Sequence, residues 1–162
     1  MSEARTFGEL VQLSYRYAAG VDRRDWDLYA HCFADPCWID MSSFTGRPAG
    51  FLRVAEWVER VRSVNGEFDA TQHLMSNHRI LDSGADGVVF EYELQAQHWF
   101  RPETMTALGA PDAVNWCLLG GHYTCLAVPS DADGWVMARL RLDIRWRTGN
   151  IGVFDVARAR HG

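Results

Sequence analysis

The sequence predicts an α+β fold in which helices pack on one face of a curved, largely antiparallel sheet. Two observations predict it. Through the first third, apolar residues recur at three- and four-residue intervals, the spacing of an amphipathic helix; from Thr71 onward they recur at every second residue, the spacing of a strand. Helices first and long strands afterwards is the order of an α+β domain. A strongly bent sheet wrapped over helices makes a cone, and a cone has an interior that can serve as a pocket.

The first helix should begin at Thr6-Phe7-Gly8-Glu9, which has the form of a capping box. Phe7, Leu10, Val11, Ser14, Tyr17, Ala18 and Val21 then share one face, and the helix should end near residues 20–23. Asp25 can cap a shorter helix running through Trp26, Tyr29, Cys32 and Phe33, stopped before Asp35-Pro36. Residues 37–43 read as a strand, and residues 49–64 as a helix ended by Asn65-Gly66. Residues 71–81 are a strand, followed by a turn over residues 82–87. Residues 101–113, holding Pro102, Gly109 and Pro111, form a loop long enough to act as a lid. Residues 115–128 and 135–147 are strands joined by a hairpin at Asp131-Ala132-Asp133-Gly134.

The most informative stretch is residues 88–100. As a strand it puts Val88, Phe90, Tyr92, Leu94, Ala96, His98 and Phe100 on one face and Glu91, Glu93, Gln95 and Gln97 on the other. His98 therefore sits on an apolar face, where it must find a hydrogen-bond partner or lose its charge.

Composition narrows the function. The 162 residues suit one domain, 1–162, with no low-complexity segment or repeat. A net charge of −5 gives no footprint for nucleic acid, and no apolar run approaches a membrane span. A soluble, cytoplasmic protein is the expectation, with neither nucleic acid nor membrane as a partner. All 16 basic residues are arginine, which excludes a lysine base or Schiff base. Cys32, Cys37, Cys117 and Cys125 lack metal-type spacing and are expected to be reduced and packed.

Asp22 falls at the end of the first helix, where the helix dipole disfavours an acid, so another group must hold it. Either a solvated aspartate beside Arg23 and Arg24 or a partner of a histidine fits the sequence. His73 and His78 are five residues apart and, on a regular strand, face opposite ways, so one of them at most looks inward.

Several segments resemble scytalone dehydratase and, more broadly, the NTF2-like or SnoaL-like superfamily of dehydratases, isomerases and polyketide cyclases. They are Asp22-Arg23-Arg24-Asp25-Trp26-Asp27, Ile39-Asp40-Met41-Ser42-Ser43-Phe44, Thr71-Gln72-His73, His98 on the long strand, and Asp143-Ile144-Arg145-Trp146. The resemblance implies an NTF2-like cone with the N-terminal helices in the concave face of a mixed, mostly antiparallel sheet. It implies that Asp22, His73 and His98 meet inside, with His73 as general base and acid. An aspartate and a histidine at such positions also resemble the catalytic dyad of the lindane dehydrochlorinases.

Where the fungal dehydratases place two tyrosines against the substrate carbonyl, this sequence has Val21 and Met41. Tyr17, one helical turn before Val21, is a replacement donor, and a tyrosine five residues before the aspartate resembles the bile-acid dehydratase branch. Tyr29, Tyr92 and Tyr123 are lesser candidates. Val21, Met41, Phe44, Trp57, Leu94, Ala96 and Ile151 or Phe154 are expected to form an apolar pocket for a hydrophobic small molecule.

The resulting expectation is a cofactor-free, metal-free lyase or isomerase, a dehydratase of a hydrophobic hydroxylated ketone or polyketide-like substrate. Cyclisation or epoxide opening would use the same residues. A non-catalytic scaffold subunit, like the small subunits of ring-hydroxylating dioxygenases, and a metal-binding two-histidine, one-carboxylate triad are the competing classes. The resemblance also implies a homo-oligomer, trimer or dimer.

Overall fold

The computed structural model describes residues 3–161. Its elements are α1 (Glu3–Arg23), α2 (Trp26–Ala30), β1 (Phe33–Asp40), α3 (Ser42–Thr45), β2 (Gly50–Leu52), α4 (Val54–Asn65), β3 (Ala70–Gly84), β4 (Gly87–Trp99), α5 (Pro102–Ala107), β5 (Trp116–Ser130), β6 (Gly134–Gly149) and α6 (Val153–His161). The six strands form one sheet in the order β2-β1-β6-β5-β4-β3. All neighbours are antiparallel except β1 and β6, so the sheet is mixed.

α1 lays Leu10, Leu13, Tyr17, Ala18 and Val21 into the core and packs against β3 and β6. It starts ahead of the expected capping box, so Thr6 lies inside the helix. Glu3 in the first turn suits the positive helix end. Glu9, instead of closing a box, accepts from Arg5 at 2.9 Å and from Trp135 Nε1 at 3.0 Å. α1 and α2 meet at Gly20, where a Cβ would come within 2.8 Å of Tyr29, so a side chain there would push the helices apart.

Asp25 does cap α2, accepting from the Leu28 amide at 3.0 Å, but the helix ends at Ala30 and Phe33 already belongs to β1. β1 stops at Asp40 because that carboxylate takes the Ser42 amide (3.0 Å) and hydroxyl (2.6 Å), which turns the chain into α3. The helix expected from residue 49 begins only at Val54, after β2 has paired with β1. Its first amide, Val54 N–H, is capped at 3.0 Å by Asp35, which also binds Arg53 through both carboxylate oxygens.

β4 alternates as expected, with Val88, Phe90, Tyr92, Leu94, Ala96, His98 and Phe100 all buried. β3 does not alternate regularly. Ser76 pairs with Glu93 and Arg79 with Glu91, so β3 carries one extra residue there, and Asn77 takes a left-handed φ of 55°. The bulge reverses the side-chain phase, and His73 and His78 both face inward. Residues 101–113 are not an open lid: they contain α5, anchored by Met105, which is 1% exposed. The four cysteines are free and buried. None of the helices among the described residues is long and apolar enough to cross a membrane.

Candidate active site

The concave side of the sheet and the helices that close it enclose a chamber of about 790 Å³, the size of a pocket for a drug-sized ligand. Tyr17 and Val21 from α1, Met41 and Phe44 around α3, Trp57 from α4, Leu94, Ala96 and His98 from β4, and Phe154 from α6 all line it, as does His73. Ile151 does not: it precedes α6, is 42% exposed and lies outside the lining, so of the two expected C-terminal residues Phe154 is the one in the wall. Asp22 stands behind His73 rather than in the wall.

His73 is the point at which α1 and β3 are tied together. Its Nδ1–H donates to Asp22 Oδ1 at 2.7 Å, and its backbone amide donates to Asp22 Oδ2 at 2.8 Å. Thr71 adds a third donor, its hydroxyl reaching Asp22 Oδ1 at 2.9 Å. Arg24 in turn donates to Thr71 Oγ1 at 2.8 Å, which occupies that oxygen as an acceptor and turns the Thr71 proton toward Asp22. Arg24 reaches this position through a left-handed φ of 60° and also donates to the Phe68 and Val21 carbonyls.

These donors explain how an acid survives at the dipole-disfavoured end of α1. Burial works to raise the Asp22 pKa, but the His73 side chain and its charge, the His73 amide and the Thr71 hydroxyl outweigh it and hold the carboxyl below its ordinary range. With Nδ1–H committed to the carboxylate, the free lone pair of a neutral His73 is on Nε2. The His73 side chain is 9% exposed and Asp22 is 22% exposed, so the pair is largely dry.

His98 stands edge-on to His73, the ring centres 5.4 Å apart. Its Nε2–H donates to Asn65 Oδ1 at 3.1 Å. The amide orientation follows from its other end, where Asn65 Nδ2 faces the Val61 carbonyl at 3.4 Å and only an N–H can face a carbonyl favourably. His98 Nδ1 is buried without a partner. Burial, and then the charges of His73 and Arg24, push the His98 pKa well below the ordinary imidazole range. His98 is therefore a neutral ring, held through Nε2–H, whose Nδ1 lone pair meets no donor.

Tyr17 and Tyr123 join hydroxyls at 3.0 Å and both line the chamber. Tyr29 packs beneath Tyr17, with ring centres 5.0 Å apart, and Tyr92 packs beside Tyr123; neither lines the chamber. Burial raises the pKa of all four phenols, so they remain protonated donors.

The sequence reading missed Asn65, Thr71, Arg24 and three arginines of the lining, Arg47, Arg60 and Arg158. Thr71 could have been noticed within Thr71-Gln72-His73, whereas Asn65 carried only the signal of a helix stop. Among the described residues no three His, Cys, Asp or Glu side chains are grouped so as to share a metal ion.

Helices closing the concave face of a strongly bent six-stranded sheet define an NTF2-like cone. Within that class the chain belongs to the SnoaL-like domain family, whose pattern matches residues 2–141. Among solved structures it is similar to the Kfla4162 protein of Kribbella flavida, at 28% identity and a TM-score of 0.83, over 94% of this chain and 99% of that one. It shares its fold with a candidate scytalone dehydratase of Novosphingobium aromaticivorans (15% identity, TM-score 0.73, 91% of this chain and 89% of that one). The same holds for a type 2 hexachlorocyclohexane dehydrochlorinase, LinA (17%, 0.70, 92% and 91%). No curated protein matches the sequence.

Proposed function

We propose that this protein is a lyase or isomerase working without a cofactor, and specifically a dehydratase of a hydrophobic hydroxylated ketone. The observation that carries this reading is the Asp22–His73 contact at 2.7 Å with His73 in the chamber wall. His73 Nε2 removes the proton next to the ketone, and the Tyr17–Tyr123 hydroxyl pair donates to the carbonyl oxygen as charge develops there. Asp22 stabilises the imidazolium. That imidazolium then returns its proton to the departing hydroxyl: the C–H and C–O bonds break, a C=C bond forms and water leaves.

His98 is assigned a role different from a proton donor. A neutral ring, held through Nε2–H by Asn65 and set edge-on to His73, forms the wall against which the His73 imidazole is positioned. An epoxide-opening or cyclising enzyme would use the same base, and the apolar remainder of the lining suits a flat ligand in each case.

The test uses 4-hydroxy-4-phenyl-2-butanone, a hydrophobic β-hydroxyketone. Formation of the conjugated enone and uptake of deuterium beside the carbonyl are followed in D₂O by absorbance and NMR. The protein should accelerate both, and His73→Ala should not. Equal acceleration by His73→Ala would remove the proposal.

A further inference from the structure

The lining of the chamber is charged in only one sense. Arg47 follows α3, Arg60 lies on α4 and Arg158 on α6, and all three line the chamber with no Asp or Glu among the lining residues. This occurs in a chain with 21 acidic and 16 basic residues, where an unbiased lining would carry at least as many acids. Three separate parts of the chain thus bring arginines to the chamber lining. All three residues are exposed, which places them toward solvent, whereas His73 and His98 occupy the dry interior.

The partners of these arginines leave them available. Arg60 pairs with Glu56 and Arg158 with Asp155, in each case within the arginine's own helix. Glu56 and Asp155 are themselves 50% and 82% exposed, so both pairs are of the weak, solvent-screened kind. Arg47 has no carboxylate partner among the described residues. A planar guanidinium is suited to bind a carboxylate through two parallel N–H bonds.

We infer that the natural ligand is acidic, with an apolar body in the chamber and a carboxylate or comparable anionic group at the opening among Arg47, Arg60 and Arg158. This rests on the proposed function for the placement of the reacting end, and it narrows the substrate class to hydroxylated ketones that carry a negative charge away from the reacting carbon.

The test is calorimetric binding of 2-naphthoate and 2-naphthamide, which share a flat apolar body and differ in charge. Naphthoate should bind about tenfold more tightly at low salt, equivalent to about 1.4 kcal/mol. The preference should shrink as salt is raised and nearly vanish in Arg47→Gln/Arg60→Gln/Arg158→Gln. Equal binding of the two probes, or a preference untouched by the triple substitution, would overturn the inference. His73→Ala should keep the naphthoate preference. Loss of turnover without loss of preference separates this inference from the acid–base reading, and turnover that is indifferent to substrate charge leaves His73 standing and the acidic ligand refuted.

Discussion

Strand β3 carries two inward-facing histidines on either side of one bulge, and their surroundings could hardly differ more. His73 is clamped by Asp22 and opens onto the chamber. His78 donates from Nε2 to Ser14 Oγ at 2.6 Å, since that hydroxyl already spends its proton on the Val11 carbonyl at 2.8 Å. Its ring stacks on Tyr92 with centres 5.2 Å apart and meets the edge of Tyr15, and it does not line the chamber. The two share residue type, strand and face. What separates them is the partner on α1, a carboxylate in one case and a hydroxyl in the other, together with access to the chamber.

That contrast can be broken by substitution. His73→Ala should lower turnover by about 10²–10⁴-fold in a protein that still folds; an equal loss in His78→Ala would erase the distinction. Asp22→Asn, which keeps the shape but accepts more weakly, should cost at least about tenfold in kcat, again without unfolding the protein. His78→Ala should show the reverse pattern, losing about 1–2 kcal/mol in denaturant unfolding with turnover retained. Tyr17→Phe should reduce kcat by about tenfold if its hydroxyl polarises the substrate; an unchanged rate would return Tyr17 to a packing role.

The smallest effect sharpens the comparison through pH. His98 and His78 both have pKa values depressed below the ordinary 6.5, by burial first in each case. Below pH 6.5 the unfolded chain takes up protons that the folded chain refuses, so stability should decline as pH falls from 7 toward 5. Asp22 behaves in a separate window: its depressed pKa stabilises the fold above the ordinary value of 3.8 and the contribution is lost only as pH falls through the folded value. His98→Gln should make the decline between pH 7 and 5 shallower, read from melting midpoints. An unchanged slope would contradict the buried, neutral state assigned to His98.

Much of this site was legible because its strand is regular. β4 keeps one phase from Val88 to Phe100, so alternation placed His98 correctly on the buried face. β3 does not, because Asn77 inserts a residue, and period-two reasoning then put His73 and His78 on opposite faces. Local rules also failed where the deciding partner lies far along the chain. α4 starts where Asp35 caps it, nineteen residues back, and no local pattern announces that. Asn65 was read rightly as a helix end, but its bond to His98 depends on how α4 meets β4. The arginines at the opening were invisible for the same reason, being charged residues on three elements that only the fold brings together.

The central claim is that Asp22 holds His73 with its proton on Nδ1 and its lone pair on Nε2 in the chamber. Nitrogen-15 NMR of histidine-labelled protein at about pH 8 measures this without any substrate, with His73 assigned from the spectrum of His73→Ala. The account predicts the Nδ1–H tautomer for His73, giving way to a mixture in Asp22→Asn. An Nε2–H tautomer in the unsubstituted protein would contradict it.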